Sequence, residues 1–320
     1  MLRARRAADI VVSSIDAFLS VRDLCTTSAS IPALVGGGAP GGGSVGFPCP
    51  AGGSGSVSCR REPPEIGPPD YELSFSACAI STSGGRVQSF DGRIAAAGDA
   101  GDACGQNSSA LEFSIPTLVL SSSGETTTTA TITALQGSLS ITDRSPSCGA
   151  SAFAAEIEGS IASRSEVDGV ETSAAEATFA NTAFLLEVTS FGPLCSIGAS
   201  TMSVDGEISY MVGDTELTAT YDAFELTSSA ADDGRSVVIA GEVASTCPEA
   251  MLVLATRVPL DVPSGADCPS AGEITVSAGA GFDAITWGEA GTFVDVGDDG
   301  TVDAAATSCR AIGLFACQLP

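Results

Sequence analysis

The chain has 320 residues, with 39 acidic and 13 basic side chains, and its formal net charge at pH 7 is −26. All 13 basic residues are arginine, so the chain contains neither lysine nor histidine. These absences exclude Ser-His-Asp and Cys-His catalysis, imidazole metal ligands, Schiff-base lysines and the P-loop lysine. The charge also excludes an ordinary nucleic-acid partner and disfavours anionic membrane surfaces, whereas a cationic partner would suit it.

The N-terminal segment predicts a helix. Val11, Ile15 and Phe18 recur at helical spacing and describe an amphipathic helix of about four turns. Asp9 and Asp16 interrupt the apolar stretch that a signal peptide needs, so a signal peptide is not evident. No window reaches the roughly 18 apolar residues of a membrane-spanning helix, so no membrane span is expected. The glycine-rich tract GGGAPGGGSVG, from 36 to 46, predicts a flexible linker.

A five-residue motif recurs through the middle of the chain and predicts an internal repeat. In each copy, two hydrophobic residues stand at the first and fifth positions around a central glycine. The copies are FDGRI at 90, LQGSL at 135, IEGSI at 157, VDGEI at 204 and IAGEV at 239. Segments of alternating polarity lie between the copies, so the pattern predicts a duplicated antiparallel β-meander.

The motif also predicts which side chains face the core. In an extended strand the two hydrophobic residues and the glycine share one face, and the residues between them point to water. The expected outward set is Asp91, Arg93, Glu158, Ser160, Asp205, Glu207 and Glu242. A core-facing glycine leaves a space that an aromatic ring of a neighbouring strand can fill. The expected rings are Phe113, Phe179, Phe184, Tyr221 and Phe224.

Two features stand out near the C-terminus. The run AMLVLATRVPLDV, from 250 to 262, is almost continuously apolar and predicts a strand that is buried on both faces. Beyond it, the segments EITV, DAITW and TFVDV predict a small sheet with Trp287 as its core anchor. A disulfide between Cys268 and Cys309 is expected to close this sheet.

These patterns together predict an all-β fold. The expected architecture is a repeated antiparallel β-meander, either a sandwich or an elongated curved sheet, with one N-terminal amphipathic helix. Three segments are expected along the chain: the helix and linker at 1–46, the duplicated meander at 47–262 and a small C-terminal β module at 263–320.

The eleven cysteines are dispersed along the chain instead of paired at short spacing, so thiolate metal sites are not expected. Dispersed cysteines in a chain rich in Gly, Ser and Thr favour disulfides, and hence an extracytoplasmic location. The predicted disulfide residues are Cys78, Cys148, Cys195, Cys247, Cys268 and Cys309. The number is odd, and Cys25 is the expected free thiol. The alternative is a cytosolic protein with buried free cysteines.

One acidic cluster is a weak calcium candidate, and no other cofactor is expected. Asp295, Asp298, Asp299 and Asp303 surround Gly300 and could supply oxygen ligands. However, Gly297 stands where an EF-hand loop needs an oxygen-bearing side chain. A tight turn at 299 and 300 is the preferred interpretation, because Asp-Gly pairs are typical of such turns.

The function that the sequence favours is non-enzymatic: a secreted or cell-surface structural or binding protein, acidic and stabilised by disulfides. Its partner would be an unknown protein or surface, and a cationic one fits the charge. Two alternatives stay open. The many carboxylates could serve a glycoside-type hydrolase, and alternating strands of about ten residues also occur in outer-membrane β-barrels.

Overall fold

A computed structural model describes most of the strand-forming part of the chain and part of the N-terminal segment. The described residues are 7, 8, 10–15, 17, 18, 21, 43–60, 70–81, 87–98, 110–123, 126–145, 149–167, 170–191, 197–212, 215–231, 234–246, 249–263, 268–278 and 281–307. Among them, 7, 8, 10–15, 17, 18 and 21 are helical and form helix α1. In this part of the chain, no helix has both the length and the apolar composition needed to cross a bilayer.

The described residues after α1 form sixteen strands. They are β1 (Gly43–Pro48), β2 (Gly52–Arg60), β3 (Asp70–Ser81), β4 (Val87–Gly98), β5 (Ala110–Ser123), β6 (Thr126–Ser145), β7 (Gly149–Val167), β8 (Val170–Phe191), β9 (Ile197–Val212), β10 (Thr215–Ala231), β11 (Gly234–Thr246), β12 (Glu249–Pro263), β13 (Ala271–Ala278), β14 (Gly281–Gly288), β15 (Gly291–Val296) and β16 (Ala304–Ala306). Each strand pairs with the next along the chain in one sheet. The predicted all-β antiparallel meander with an N-terminal helix is therefore confirmed. β1 begins at Gly43, inside the tract that the sequence analysis assigned to the linker.

The chain divides into two compact units. Unit 1 comprises Met1–Ser20 and Thr182–Pro320, and unit 2 comprises Val21–Asn181. Unit 1 therefore combines the N-terminal helix with strands more than 160 residues further along the chain. This grouping does not test the three segments predicted at 1–46, 47–262 and 263–320, which stay a prediction.

The glycine motifs lie in strand interiors with the predicted alternation. In VDGEI, Val204 and Ile208 are fully buried, whereas Asp205 and Glu207 are exposed. In the other motifs the outward residues Asp91, Arg93, Glu158 and Glu242 are also exposed, and Ser160 is half-buried. The glycines themselves are half-buried, so the motif faces the way its periodicity predicts.

Four of the five motif glycines, Gly92, Gly137, Gly159 and Gly241, lie close to the backbone of a neighbouring strand. At Gly241, φ is +140°, and a Cβ atom would lie 2.6 Å from the Cα atom of Phe224. Two residues of β10, Ala223 and Phe224, stand against this single glycine of β11, which is a β-bulge. Ala223 has the left-handed φ of +45°. Its N–H donates to Oδ1 of Asp205 at 2.7 Å, so the bulge has a side-chain partner on β9.

Register places two of the predicted rings directly opposite motif glycines: Phe113 faces Gly137 across the β5–β6 pair, and Tyr221 faces Gly206 across the β9–β10 pair. At Gly241 the ring of the predicted Phe224 lies 3.2 Å from the added Cβ position, and Gly92 has Phe75, a ring that the prediction did not name, opposite it across the β3–β4 pair. Four of the five expected rings are buried, and Phe113 is half-buried. A ring does fill a glycine space at Gly55, where the added Cβ would meet the ring of Phe47 across the β1–β2 pair.

The prediction that β12 is buried on both faces is wrong. Leu252 and Leu254 are buried, but the alternate residues Met251 and Val253 are 50% and 41% exposed. The strand therefore has one covered face and one apolar face that the described residues leave in solvent. In the small C-terminal sheet, by contrast, Trp287 is buried, as expected of a core anchor.

Candidate functional site

The predicted calcium cluster forms a turn whose carboxylates accept hydrogen bonds from the backbone. Asp295 accepts from the N–H groups of Asp299 at 3.1 Å and Gly300 at 2.7 Å, and Asp303 accepts from Val296 N–H at 2.8 Å. Asp299 accepts from the N–H of Thr301 at 2.8 Å. These carboxylates therefore stabilise the loop between β15 and β16. Within the described residues, no three Cys, Asp or Glu side chains lie in a group that could hold a metal ion.

Asp298, the fourth member of that cluster, pairs with an arginine instead. Arg257 of β12 donates to both carboxylate oxygens of Asp298, at 3.0 and 2.5 Å, and to Glu273 at 2.6 Å. The hydrogen bonds from the guanidinium group lower the pKa of Asp298. Arg257 therefore joins one carboxylate of β13 and one of the loop between β15 and β16.

The disulfide candidates are only partly within the described residues. Cys78 is bonded to Cys49, which the sequence analysis did not single out, and their Cα atoms are 5.3 Å apart. Cys268 is disulfide-bonded as well. Cys148, Cys195, Cys247 and Cys309 lie outside the described residues, as does Cys25, the expected free thiol. The pairing of Cys268 with Cys309 stays a prediction.

Helix α1 packs on the inward face of unit 1 through an aromatic cluster. Phe18 makes edge-to-face contacts with Phe184, Tyr221 and Phe224, with ring centroids 5.3 to 6.0 Å apart. Every described residue of the helix is buried, including Ser14. Because α1 is enclosed in this way, it belongs to the core of unit 1.

A chain of buried hydroxyl groups runs beside these rings. Ser14 donates its one proton to the Ile10 carbonyl at 2.5 Å, so at 2.6 Å it accepts from Tyr221. Tyr221 in turn accepts from Tyr210 at 2.7 Å. Burial is the main cause that raises the pKa of both tyrosines, so they stay neutral at ordinary pH. The hydroxyls therefore stabilise the helix–sheet contact and supply no titrating group near pH 7.

The outward face of unit 1 presents a different arrangement. Register places five residues in one row across five strands, and residues directly opposite each other share a face. The row is Asp222 (β10), Glu242 (β11), Val253 (β12), Ser277 (β13) and Phe282 (β14). Its first two members are exposed carboxylates and its last is a phenylalanine with 58% exposure.

Neighbouring positions extend both the acidic end and the apolar end of this row. Glu225 is exposed on β10 beside Asp222, and Met251 is exposed on β12 beside Val253. The acidic–apolar face is defined here by these outward side chains: Asp222, Glu225, Glu242, Met251, Val253 and Phe282. Within the described residues, none of its three carboxylates has an ion-pair or side-chain hydrogen-bond partner.

Sequence reasoning had found only Glu242 of this face. The one available signal for the apolar half was the run from 250 to 262, which has too many apolar residues for a strand with one solvated face. The juxtaposition itself depends on the register of five strands, whose members of the row are spread over 60 residues, and spacing along the chain does not reveal it. No protein-family model, curated protein or solved structure matches the chain.

Proposed function

We propose that this chain is a non-enzymatic, extracytoplasmic structural or binding protein, built on a duplicated β-meander and stabilised by disulfides. The observation that carries the proposal is the disulfide bonding of Cys49 with Cys78 and of Cys268. Disulfides persist in oxidising compartments and are rare in the cytosol. Closing a loop of this length, with a sequence separation of 29, stabilises a fold by about 3 to 4 kcal/mol in the chain-entropy estimate.

The distribution of polar chemistry supports a role without catalysis. The strongly shifted tyrosines are buried against α1, and the acidic turn at 295–303 uses its carboxylates on backbone N–H groups. The remaining outward carboxylates of the glycine motifs lie exposed on strand faces. Such a surface suits solubility and the binding of a cationic partner.

The compartment is tested by counting thiols in protein taken from its own cells, with free thiols alkylated at lysis. Non-reducing peptide mapping should recover a Cys49–Cys78 linked peptide, a linked peptide that contains Cys268, and one alkylated cysteine. Eleven alkylated cysteines would overturn the proposed location and with it the function.

The absence of catalysis has its own test. Asp222 and Glu242 stand directly opposite each other on neighbouring strands, so they are the carboxylate pair to test for the hydrolase alternative. Assays against a panel of aryl glycosides should give no turnover above background. Hydrolysis that disappears in the Asp222→Asn, Glu242→Gln double variant would replace the proposal with the hydrolase alternative.

A further inference from the structure

We propose that the acidic–apolar face of unit 1 binds a polypeptide segment that is cationic along one half and apolar along the other. The inference rests on the binding role proposed above and names the partner's chemistry. It starts from the uncovered side of β12, where Met251 and Val253 are 50% and 41% exposed. Phe282 lies two strands further along the same row, beyond the half-buried Ser277, with 58% exposure. Exposed apolar patches of this kind mark interaction sites.

The carboxylates beside the patch decide the sign of the partner's charge. Asp222 and Glu242 are directly opposite across the β10–β11 pair, and opposed like charges destabilise a sheet. The two arginines described in unit 1 contact other groups: Arg235 donates to the Ile197 carbonyl, and Arg257 pairs with Asp298. Within the described part of the chain, therefore, no arginine neutralises the carboxylates of the face, which suits a cationic partner.

A second copy of this chain fits the face poorly. Each copy has a net charge of −26, and association through this face would set the carboxylates of one copy against either the carboxylates or the apolar residues of the other. Arginine or lysine side chains of a different protein can neutralise the carboxylates while neighbouring apolar residues cover Val253 and Phe282. Four strand spacings separate Asp222 from Phe282, a span of roughly 19 Å. A segment of six extended residues or about thirteen helical residues covers this distance.

The test uses the full chain and a fluorescein-labelled peptide of fourteen residues, with four arginines in its first half and four valines in its second. A peptide of the same composition with arginine and valine alternating is the comparison probe. Affinities are measured by fluorescence anisotropy at low and high salt. We expect the block peptide to bind about tenfold more tightly than the alternating peptide, because only the block order matches the face.

Three double variants locate the binding. Asp222→Asn with Glu242→Gln should weaken the affinity about tenfold and reduce its salt dependence. Val253→Ser with Phe282→Ser should weaken it about fivefold at high salt as well, where charge is screened. Glu156→Gln with Glu158→Gln removes two exposed carboxylates from β7 in unit 2 and should change the affinity by less than about twofold.

Several results would overturn the inference. Equal weakening by all three variants would show non-specific attraction to a polyanion, and no binding by the unmodified chain would remove the site. A concentration-dependent dimer in sedimentation that Val253→Ser with Phe282→Ser dissolves would assign the face to a second copy. Thermal unfolding of each variant shows whether the fold is retained. A chain with one free thiol that binds neither peptide contradicts this inference alone, whereas eleven free thiols contradict the proposed function.

Discussion

The inward cluster under helix α1 and the outward acidic–apolar face lie on opposite sides of the sheet in unit 1, and strand β10 contributes to both. In the inward cluster, Phe18 and Tyr221 are covered, and the Ser14, Tyr210 and Tyr221 hydroxyls form one donor chain. On the outward face, Val253 and Phe282 are exposed and the carboxylates of the face lack partners among the described residues. The inward cluster covers its apolar side chains and hydrogen-bonds its hydroxyl groups within the chain, whereas the outward face leaves its apolar side chains and its carboxylates to solvent.

Because of this difference, we expect the inward cluster to contribute to folding stability and the outward face to contribute to binding. A covered and hydrogen-bonded cluster contributes to folding, because its removal leaves a cavity or an unpaired polar group. An uncovered apolar row beside opposed carboxylates contributes little to folding and costs some stability. Substitutions in the first region should therefore lower the free energy of unfolding, and those in the second should change binding. Trp287, the one tryptophan of the chain, is buried in unit 1 and reports its unfolding by fluorescence.

The largest expected effect is at Phe18. Phe18→Ala should lower the free energy of unfolding of unit 1 by about 3 to 5 kcal/mol, because the ring is fully buried against three others. The matched control is Phe282→Ala, which removes the same side chain from an exposed site and should stay within about 0.5 kcal/mol of the unmodified chain. Urea unfolding followed by Trp287 fluorescence measures both. Equal losses for the two variants would erase the distinction between the faces.

A second substitution tests the close approach of the β10 and β11 backbones at Gly241. Gly241→Ala should cost about 2 to 4 kcal/mol, because φ is +140° and the new Cβ atom would lie 2.6 Å from the Cα of Phe224. Gly288→Ala is the control, since nothing lies within 4 Å of its Cβ position and its φ is outside the left-handed range. The same urea series measures both variants. A Gly241→Ala chain as stable as Gly288→Ala would mean that β10 and β11 do not approach as closely as described.

The buried tyrosines should make unit 1 less stable at alkaline pH. Burial raises the pKa of Tyr210 and Tyr221 above the ordinary value, so above about pH 10 the unfolded chain loses phenol protons that the folded chain keeps. Their contribution to stability is therefore complete below pH 10 and falls as the pH rises, by up to about 1.4 kcal/mol per pH unit for each tyrosine.

Urea midpoints between pH 8 and 11 measure this alkaline loss. The Tyr210→Phe, Tyr221→Phe double variant should have a flatter profile, because neither ring can ionise. A loss that is as steep in the double variant would assign the alkaline loss to other groups.

The sequence predicts the elements of this fold better than their contacts. Period-two alternation identified the strands, and helical spacing identified α1, because both depend on neighbours within one element. The bulge at Ala223 escaped prediction, since alanine seldom adopts a left-handed φ and the strain is stabilised by a neighbouring strand. The Arg257–Asp298 pair, 41 residues apart, equally depends on tertiary structure.

The error at β12 has a different cause. An apolar run predicts burial on the assumption that every apolar side chain is covered within its own chain. Val253 departs from that assumption, and the same departure draws attention to the acidic–apolar face. An argument from hydrophobicity alone therefore fails for a strand whose second face is apolar and exposed.

The smallest predicted effect runs opposite to the others. Replacing Asp222 with Asn and Glu242 with Gln removes the repulsion between opposed carboxylates while keeping the shape of both side chains. The free energy of unfolding should therefore rise by about 0.2 to 1 kcal/mol, and the gain should shrink at high salt as the repulsion is screened. The Glu156→Gln, Glu158→Gln control removes the same charge from β7, where Gln136 already donates to Glu158 at 3.1 Å, and should bring no gain. A double variant at 222 and 242 that is less stable than the unmodified chain would show that these carboxylates support the fold. A more stable chain that loses the block peptide would show that the opposed charges are kept for binding at a cost in stability.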